Sequence, residues 1–438
     1  MKAILGAAAV AGALAMQLGG AAAAPVELQW WHAMTAVNAD AVNRLAADFN
    51  AMQGDYKVVP VFKGSYAEAM TAAVAAYRAG NAPAIVQIFE VGTATMMAAK
   101  GAVKPVYQLM AEAGEPFDPN AYLPAIAGYY STADGRMLSL PFNSSTAIVY
   151  WNKDAFRKAG LDPDQAPKTW PETFEAAKKL RAAGLACGFT AAWVSWTQIE
   201  QFSAWHNIAI GTKANGLEGP DSEFVFNNPT VTRHIDNLAK AQQDKSFDYG
   251  GRTTEPEPKF LNGDCGMIQN SSGFYGTLKA GASFPFGMAE LPYYPDVPGA
   301  PQNTIIGGAS LWVMGGKSAD EYKGVAKFFT YLSGTDVQRR LHEVTGYLPI
   351  TKAAYQATKA SGFYEQNPGR EIPIIELTGK PPTENSRGLR FGNLVQIRDV
   401  IAEDLEAAFA GKQNAQAALD DAVKRGNALL RQFQRNTQ

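Results

Sequence analysis

Apolar and polar positions alternate between strand-like and helical patterns in the N-terminal quarter of the chain. Residues 27–31 and 58–62 have strand patterns, and apolar residues at helical spacing separate them. A second helix is expected over 66–80, and the apolar run 84–89 after it is typical of a strand buried on both faces. The pattern therefore predicts βαβ units around a parallel sheet.

A similar alternation begins again near residue 146. Residues 146–151 are strand-like, and 153–159 have the pattern of a short helix. Thr169 and Glu172 then have the spacing of a capping box that opens a longer helix. No low-complexity linker separates the two alternating regions. We therefore predict two α/β lobes that form a hinged, cleft-containing molecule, with the ligand outside the carboxyl ends of the strands.

The C-terminal part of the chain is helical in pattern. Leu394, Ile397, Ile401, Leu405 and Phe409 recur on one helical face, and the stretch 416–433 is a further amphipathic segment. Both segments are predicted to be packing helices.

Length and charge narrow the class of protein. The chain has 438 residues, which predicts two or three domains. Hydrophobic residues make up 47% of it, so an intrinsically disordered chain is excluded. The formal net charge is −2, which provides no whole-chain positive field for a nucleic-acid backbone. DNA and RNA are therefore not expected partners.

The N-terminus has the features of an export signal. Met1-Lys2 is a short basic start, 3–18 is an uncharged apolar run, and small residues extend to Ala24. We predict a signal peptide over 1–24, with cleavage after Ala23 or Ala24. A membrane anchor is the alternative, but the run is short for a spanning helix. The mature protein is expected to be soluble and exported.

The chain has two cysteines, Cys187 and Cys265. An exported protein with an even number of cysteines permits a disulfide bond, and neither residue lies in a C-x-x-C pair. Two outcomes stay open at this point, a Cys187–Cys265 bridge or two reduced, buried thiols.

No catalytic or metal-binding motif is present in the sequence. The four histidines, His32, His206, His234 and His342, do not pair at helical spacing. G-x-S-x-G, G-x-x-x-x-G-K-[ST] and G-x-G-x-x-G motifs in their usual contexts are absent. We therefore predict no catalytic residue, no metal site and no cofactor.

Small polar loops at strand ends are the candidate ligand contacts. Residues 142–146 precede a strand, and Gln269–Gly273 follow the predicted strand 265–268. Ser271 or Ser272 could cap the short helix 274–279, whose free N–H groups would suit an anion. Gly307-Gly308 permits close backbone approach. Each feature alone is equally compatible with an ordinary turn.

Two charged side chains stand in apolar surroundings. Arg398 lies within the apolar periodicity of its helix, and its planar guanidinium suits a phosphate, a carboxylate or an internal salt bridge. Glu90 ends the apolar run 84–89, where it could accept hydrogen bonds from ligand hydroxyls or cap the next helix. Tyr66, Trp170 and Tyr347 could supply aromatic faces or core packing.

Several segments resemble a known family. They are Tyr150–Phe156 with Ala159-Gly160-Leu161, Pro167–Trp170, Phe260–Gly263, Ala326–Phe329 and Gly346–Pro349. In these segments the chain resembles the periplasmic extracellular solute-binding proteins that serve carbohydrate-type ABC importers, which are similar to maltose-binding protein. Within the family it is most similar to the sn-glycerol-3-phosphate receptors, through 63–66, 90–97, 141–146, 305–312 and 388–398.

The resemblance implies a type II periplasmic-binding-protein fold with a ligand cleft between two lobes. The three interlobe crossings are expected near Pro141, Phe286 and Val344. The N-terminal lobe would comprise 25–140 and 287–343, and the C-terminal lobe 141–286 and 344–438. Hinge closure on the ligand, without a covalent step, would be the mechanism.

The resemblance also implies the ligand contacts. These would be Tyr66, Glu90, Ser145, Ser271, Gly308, Tyr347 and Arg398, with Trp170 lining the cleft. Phosphate oxygens would be bound by Arg398, by the two serine hydroxyls and by the Gly308 N–H. Glycerol hydroxyls would contact Glu90 and Tyr66, and Tyr347 could serve either end.

The expected ligand is sn-glycerol-3-phosphate or a glycerophosphodiester such as glycerophosphocholine. The expected partners are the membrane permease subunits of an ABC importer, and the receptor is expected to be a monomer. Two alternatives remain, a receptor for a neutral oligosaccharide and a periplasmic glycerophosphodiesterase. The scattered histidines disfavour the enzyme, since such chemistry usually needs a metal pair or a histidine acid/base.

Overall fold

The computed structural model describes residues 24–437 as a mixed α/β protein with two separate sheets. Apart from Ala24, the predicted signal peptide lies outside the described residues. The ten strands are β1 Val26–His32, β2 Tyr56–Phe62, β3 Ile85–Phe89, β4 Val103–Lys104, β5 Leu140–Pro141, β6 Ala147–Asn152, β7 Cys187–Ala191, β8 Cys265–Ser271, β9 Phe286–Ala289 and β10 Ala309–Met314.

The helices of the first half of the chain are α1 Ala36–Met52, α2 Tyr66–Arg78, α3 Thr93–Ala98, α4 Val106–Ala113, α5 Pro124–Tyr129, α6 Lys153–Lys158, α7 Trp170–Ala182, α8 Phe202–Trp205 and α9 Thr212–Asn215. Those of the second half are α10 Pro229–Gln243, α11 Glu257–Leu261, α12 Tyr275–Gly281, α13 Ala319–Leu332, α14 Thr335–Thr345, α15 Lys352–Ala360, α16 Phe363–Gln366, α17 Ile372–Thr378, α18 Leu394–Phe409 and α19 Ala415–Thr437.

The first sheet has the order β2-β1-β3-β10-β4, and β5 pairs with β10. Its β1 strand is parallel to both β2 and β3, as the hydrophobic pattern predicts. The β10 strand enters from the C-terminal half of the chain and runs antiparallel to β3, with Ala309 opposite Phe89. This register brings Gly308, which precedes β10, next to Glu90, which follows β3.

The second sheet has the order β7-β8-β6-β9. Its central strand β8 is parallel to β7 and antiparallel to β6. Here β8 extends to Ser271, three residues beyond the predicted end at 268. The polar residues 269–271 are therefore part of the strand rather than of the loop after it.

Separate apolar cores support the two sheets. Leu28, Trp30 and Phe328 belong to the core of the first sheet. Trp170, Phe189 and Ile397 belong to the core of the second, onto which α18 and α19 pack. The two-lobed α/β fold is confirmed by this arrangement.

Three segments connect the two lobes. The chain leaves the first sheet after β5 and enters the second at β6, and it returns between β9 and β10. β9 pairs with β6, so residues 286–289 belong to the second sheet. After α14 the chain first packs on the core of the first lobe through Leu348 and Ile350, and reaches the core of the second at Leu389. The division into 25–140 plus 287–343 and 141–286 plus 344–438 stays a prediction.

A disulfide bond joins Cys187 to Cys265 in the second sheet. The two residues lie opposite each other on β7 and β8, with their Cα atoms 4.6 Å apart. The bond therefore closes a loop with a sequence separation of 78 residues in the unfolded chain. Of the two outcomes that the sequence leaves open, the structure contains the bridge.

We expect the Cys187→Ala/Cys265→Ala variant to lose about 4 kcal/mol of unfolding free energy, because a long loop is no longer closed in the unfolded state. Ligand affinity should be unchanged, since neither cysteine lines the cleft. Urea unfolding with and without a reductant checks this. Reductant should destabilise the native protein and leave the variant unaffected, and an equal response of both would contradict the prediction.

Candidate functional site

A cleft between the two sheets encloses about 750 Å³, within the usual range for small-molecule sites. Seven of the eight predicted contacts line it together, although they are dispersed along more than 300 residues of sequence. These seven residues are Tyr66, Glu90, Ser145, Ser271, Gly308, Tyr347 and Arg398.

The structure places Trp170 elsewhere. As the first residue of α7 it is only 1% exposed, and its ring packs against His234 at 4.3 Å between centroids. The Thr169–Glu172 capping box fixes the start of α7 and directs this side chain into the core of the second lobe. Trp193 and Trp196 line the cleft instead.

A buried charge cluster lies at the centre of the cleft. Arg398 on α18 donates from Nε and Nη2 to both carboxylate oxygens of Glu200, at 2.7 Å each. Its Nη2 also donates to Glu90 Oε1 at 2.5 Å. Glu90 follows β3 of the first lobe, whereas Glu200 and Arg398 belong to the second. The guanidinium therefore joins the two lobes across the cleft.

Burial shifts the pKa of both Glu90 and Arg398, the two residues that pair across the cleft. It raises the pKa of Glu90, and the Arg398 charge opposes that shift. Burial lowers the pKa of Arg398, but Glu200 and Glu90 together more than offset this and raise it above the usual value. Among the described residues, no hydrogen bond uses Arg398 Nη1. The guanidinium thus stays charged and keeps one NH₂ group for a ligand.

Gly308 provides a backbone contact that requires glycine. Its φ is +84°, and a Cβ there would lie 1.9 Å from the Asn143 carbonyl oxygen. Its carbonyl accepts the Glu90 N–H at 3.0 Å, which ties the start of β10 to the end of β3. Its own N–H has no hydrogen bond among the described residues and can donate to a ligand oxygen.

The two serines present their hydroxyls to the cleft. The Ser271 hydroxyl accepts the Gly273 N–H at 3.1 Å, which leaves its O–H free to donate. The Ser271 N–H donates to the side-chain oxygen of Asn270 at 2.7 Å. Ser145 lies in the first crossing segment, where its backbone N–H and C=O pair with Gly307. Both serines can therefore act as donors to an anionic group.

Two tyrosines complete the first-lobe side of the cleft. The Tyr66 ring stacks on Phe89 at 5.2 Å, and its hydroxyl accepts the Asn143 amide at 2.9 Å. The Tyr347 hydroxyl accepts the Asn38 amide at 3.4 Å. Burial raises the pKa of both phenols, so both keep their protons at neutral pH.

Glu257 adds a titratable group to the second-lobe side of the cleft. It is the first residue of α11, and its carboxylate accepts the Asn270 amide at 2.9 Å. Burial raises its pKa to about 7, and the nearby Glu255 charge acts in the same direction. Glu257 therefore gains negative charge as the pH rises through neutrality.

We expect affinity for glycerophosphocholine, whose phosphodiester does not titrate in this range, to fall severalfold between pH 6 and pH 8. The reason is that ionised Glu257 repels the phosphate more strongly than its neutral form does. In the Glu257→Gln variant the affinity should be the same at pH 6 and pH 8. Calorimetric titration at the two pH values measures both proteins. An equally steep profile in the variant would contradict the assignment.

Sequence reasoning misses Glu200, Trp193 and Trp196. Glu200 and Trp196 lie in a six-residue π-helix, Trp196–Gln201, and Trp193 has a φ of +53°. Neither conformation has a reliable sequence signal. Gln87 is also missed, although a lone polar residue inside the apolar run 84–89 is a signal that could identify it.

Metal clusters and membrane-spanning helices are both missing from the part of the chain that the structure describes. Within residues 24–437 there is no group of three or more His, Cys, Asp or Glu side chains arranged to hold a metal ion. None of the helices in that range is both long and apolar enough to span a bilayer.

The chain is similar to a protein family and, more strongly, to individual members of it. Residues 44–372 match the family model of the bacterial extracellular solute-binding proteins. The sn-glycerol-3-phosphate-binding periplasmic protein UgpB of Brucella suis is 51% identical, over 96% of this chain and 97% of its own length. The UgpB of Agrobacterium fabrum is 52% identical, over 97% of both chains.

Solved structures confirm the type II fold. UgpB from Mycobacterium tuberculosis, in complex with glycerophosphocholine, has a TM-score of 0.77 at 20% identity, covering 94% of this chain and 99% of its own. A maltose-bound protein from T. maritima has a TM-score of 0.75 at 19% identity, covering 92% and 100%. By the match of the family model and by its identity with these relatives, the chain belongs to the bacterial extracellular solute-binding proteins.

Proposed function

We propose that the protein is a periplasmic receptor that captures sn-glycerol-3-phosphate or a glycerophosphodiester and delivers it to an ABC importer. The observation that carries this is the convergence of Arg398, two serine hydroxyls and the Gly308 N–H on one cleft. These groups are donors of the kind that bind phosphate oxygens. The curated relatives, named for sn-glycerol-3-phosphate binding, support the same ligand class.

In the proposed binding geometry the phosphate is bound from both lobes, and the glycerol group from the first lobe. Arg398 Nη1, the Ser145 and Ser271 hydroxyls and the Gly308 N–H bind the phosphate oxygens. Tyr66 and Glu90, on the first lobe, bind the glycerol hydroxyls. Tyr347 can contact either the phosphate or the glycerol end. Charge-assisted bonds contribute about 1.5–3 kcal/mol each, so three or four of them support micromolar affinity.

Closure of the hinge is the proposed working step. The Arg398–Glu90 pair and the hydrogen bond from Asn38 to the Gly273 carbonyl already join the lobes across the cleft. A phosphate that binds Arg398 adds further contacts across the same interface and favours the closed form. The closed receptor then docks on the membrane permease subunits as a monomer, after export directed by residues 1–24.

Calorimetric titration of the mature protein tests the proposal. The ligands are sn-glycerol-3-phosphate, glycerophosphocholine and maltose, in phosphate-free buffer. Binding of either glycerol phosphate without maltose supports the proposal and ranks the monoester against the diester. Binding of maltose alone would replace it with the neutral-sugar receptor and remove the phosphate role of Arg398.

Catalysis is not part of the proposed function. Burial lowers the pKa of His206 to about 4 and that of His342 to about 3, so these histidines are neutral and enclosed rather than available as acids. Incubation with glycerophosphocholine should release no choline. Release of choline in proportion to the protein concentration would favour the phosphodiesterase instead.

A further inference from the structure

A chain of buried amides ends at the Tyr66 hydroxyl. Gln87, in the middle of β3, is fully buried, and Asn143, in the first crossing between the lobes, is 1% exposed. The Ala33 backbone N–H donates to Gln87 Oε1 at 2.8 Å. Gln87 Nε2 donates to Asn143 Oδ1 at 2.8 Å, and Asn143 Nδ2 donates to the Tyr66 hydroxyl at 2.9 Å.

The direction of each hydrogen bond in this chain is determined. The Ala33 N–H can only donate, so the oxygen of the Gln87 amide must face it and its NH₂ group must face Asn143. The oxygen of Asn143 then faces Gln87, and its NH₂ group faces Tyr66. Because one lone pair of the phenol oxygen accepts this amide, the Tyr66 proton points away from Asn143.

We infer that Gln87 and Asn143 are positioning residues that fix Tyr66 as a hydrogen-bond donor to a ligand hydroxyl. The inference rests on the proposed function and deepens it. Burial raises the pKa of Tyr66 well above its usual value, so the proton is retained. Glu90, which follows the Phe89 ring on which Tyr66 stacks, is paired with the Arg398 guanidinium, and as a carboxylate it can only accept.

This arrangement selects a hydroxyl by its two hydrogen-bonding roles. A glycerol hydroxyl can accept from Tyr66 and donate to Glu90 at the same time. An ammonium group cannot accept from Tyr66, and a carbonyl or carboxylate cannot donate to Glu90. The amide chain therefore adds specificity for a polyol group to the phosphate recognition by Arg398, the two serines and Gly308. It also connects that recognition to the crossing segment that contains Asn143.

The test is a double-mutant cycle on sn-glycerol-3-phosphate and glycerophosphocholine affinity. We expect Tyr66→Phe and Asn143→Leu each to raise the Kd about fivefold, the effect of one hydrogen bond. The double variant should bind no worse than Tyr66→Phe alone, because Asn143 acts through the phenol. Additive losses would overturn the inference, since a merely structural role costs the same in both backgrounds.

Gln87→Leu tests the same inference from a residue outside the cleft. Gln87 does not hydrogen-bond Tyr66, and Ala33 is its one hydrogen-bond partner among the described residues that line the cleft. Its loss frees the Asn143 amide to rotate, so we expect a similar rise in Kd that vanishes in the Tyr66→Phe background. Ser139→Ala is the matched control, because it removes a buried hydrogen bond to Ser310 in the same lobe. That variant should bind normally, and unchanged affinity of Gln87→Leu would overturn the inference.

The outcomes also separate the inference from the proposed function. If the native protein binds neither glycerol phosphate, the proposed function fails. If it binds them but the Tyr66 and Asn143 losses are additive, the proposed function stands and the positioning role fails. Thermal unfolding of each variant, measured without ligand, identifies any that owe their loss to misfolding.

Discussion

The Arg398→Met variant is expected to bind sn-glycerol-3-phosphate and glycerophosphocholine about 1000-fold more weakly than the native protein. Methionine keeps the length and apolar stem of the side chain but removes a guanidinium whose free NH₂ group shares the cleft with Gly308 and the two serines. Loss of a buried, hydrogen-bonded charge costs about 2–5 kcal/mol of binding free energy. Calorimetric titration measures the difference.

Arg252→Met is the matched control for this prediction. Arg252 also lines the cleft and carries the same charge, and it pairs with Glu406 at 2.8 Å. Its side chain is 37% exposed, however, against 13% for Arg398, so water screens its charge from a ligand. Its loss should change the Kd by no more than about tenfold, through long-range electrostatics that salt screens. Equal losses in the two variants would mean that the net charge of the cleft, rather than Arg398 itself, holds the phosphate.

The stability of the Arg398→Met protein must be measured alongside its affinity. The substitution leaves Glu90 and Glu200 buried without their cation, which costs about 3–5 kcal/mol of unfolding free energy. Adding Glu200→Gln removes one of the two carboxylates and should restore part of that stability. Phosphate affinity should stay lost in the double variant. Recovery of binding with stability would show that Arg398 has only a structural role.

The charge cluster also shows how far the sequence predicts the site. An arginine within an apolar helical face indicates a buried partner, either a ligand or an internal salt bridge. The structure shows the salt bridge, with Glu200, and the role of Arg398 in ligand binding stays a prediction. Glu200 itself could not be predicted, because it lies in a π-helix, a rare conformation that the sequence pattern does not indicate.

Lobe architecture is predicted better than side-chain direction. The βαβ pattern, the capping box before α7 and the apolar face of α18 all specify elements that the structure contains. Trp170 shows the limit, since its helix is predicted correctly but its ring points into the core. Successive side chains on a helix point in directions about 100° apart around its axis. A resemblance between sequences does not determine which way an aromatic side chain turns.

The Gly308→Ala variant is expected to lose at least about 3 kcal/mol of unfolding free energy and most of its ligand affinity. A φ of +84° is strained for alanine by about 1–2 kcal/mol, and the new Cβ would lie 1.9 Å from the Asn143 carbonyl oxygen. Because that oxygen belongs to the backbone of the first crossing, it cannot rotate away as a side chain would. The crossing must shift, and Ser145 and the Asn143 amide must shift with it.

Gly316→Ala isolates the clash from the backbone strain. Gly316 lies just beyond the other end of β10 and has a φ of +78°, and a Cβ added there would have no described atom within 4 Å. It should therefore lose only about 1–2 kcal/mol and bind normally. Urea unfolding and calorimetric titration of both variants compare the two glycines directly. Equal losses of stability and equal affinities in the two variants would contradict the prediction. The start of β10 would then not depend on the close backbone approach of Gly308 to the crossing segment. The proposed phosphate contact of the Gly308 N–H would also lose its structural basis.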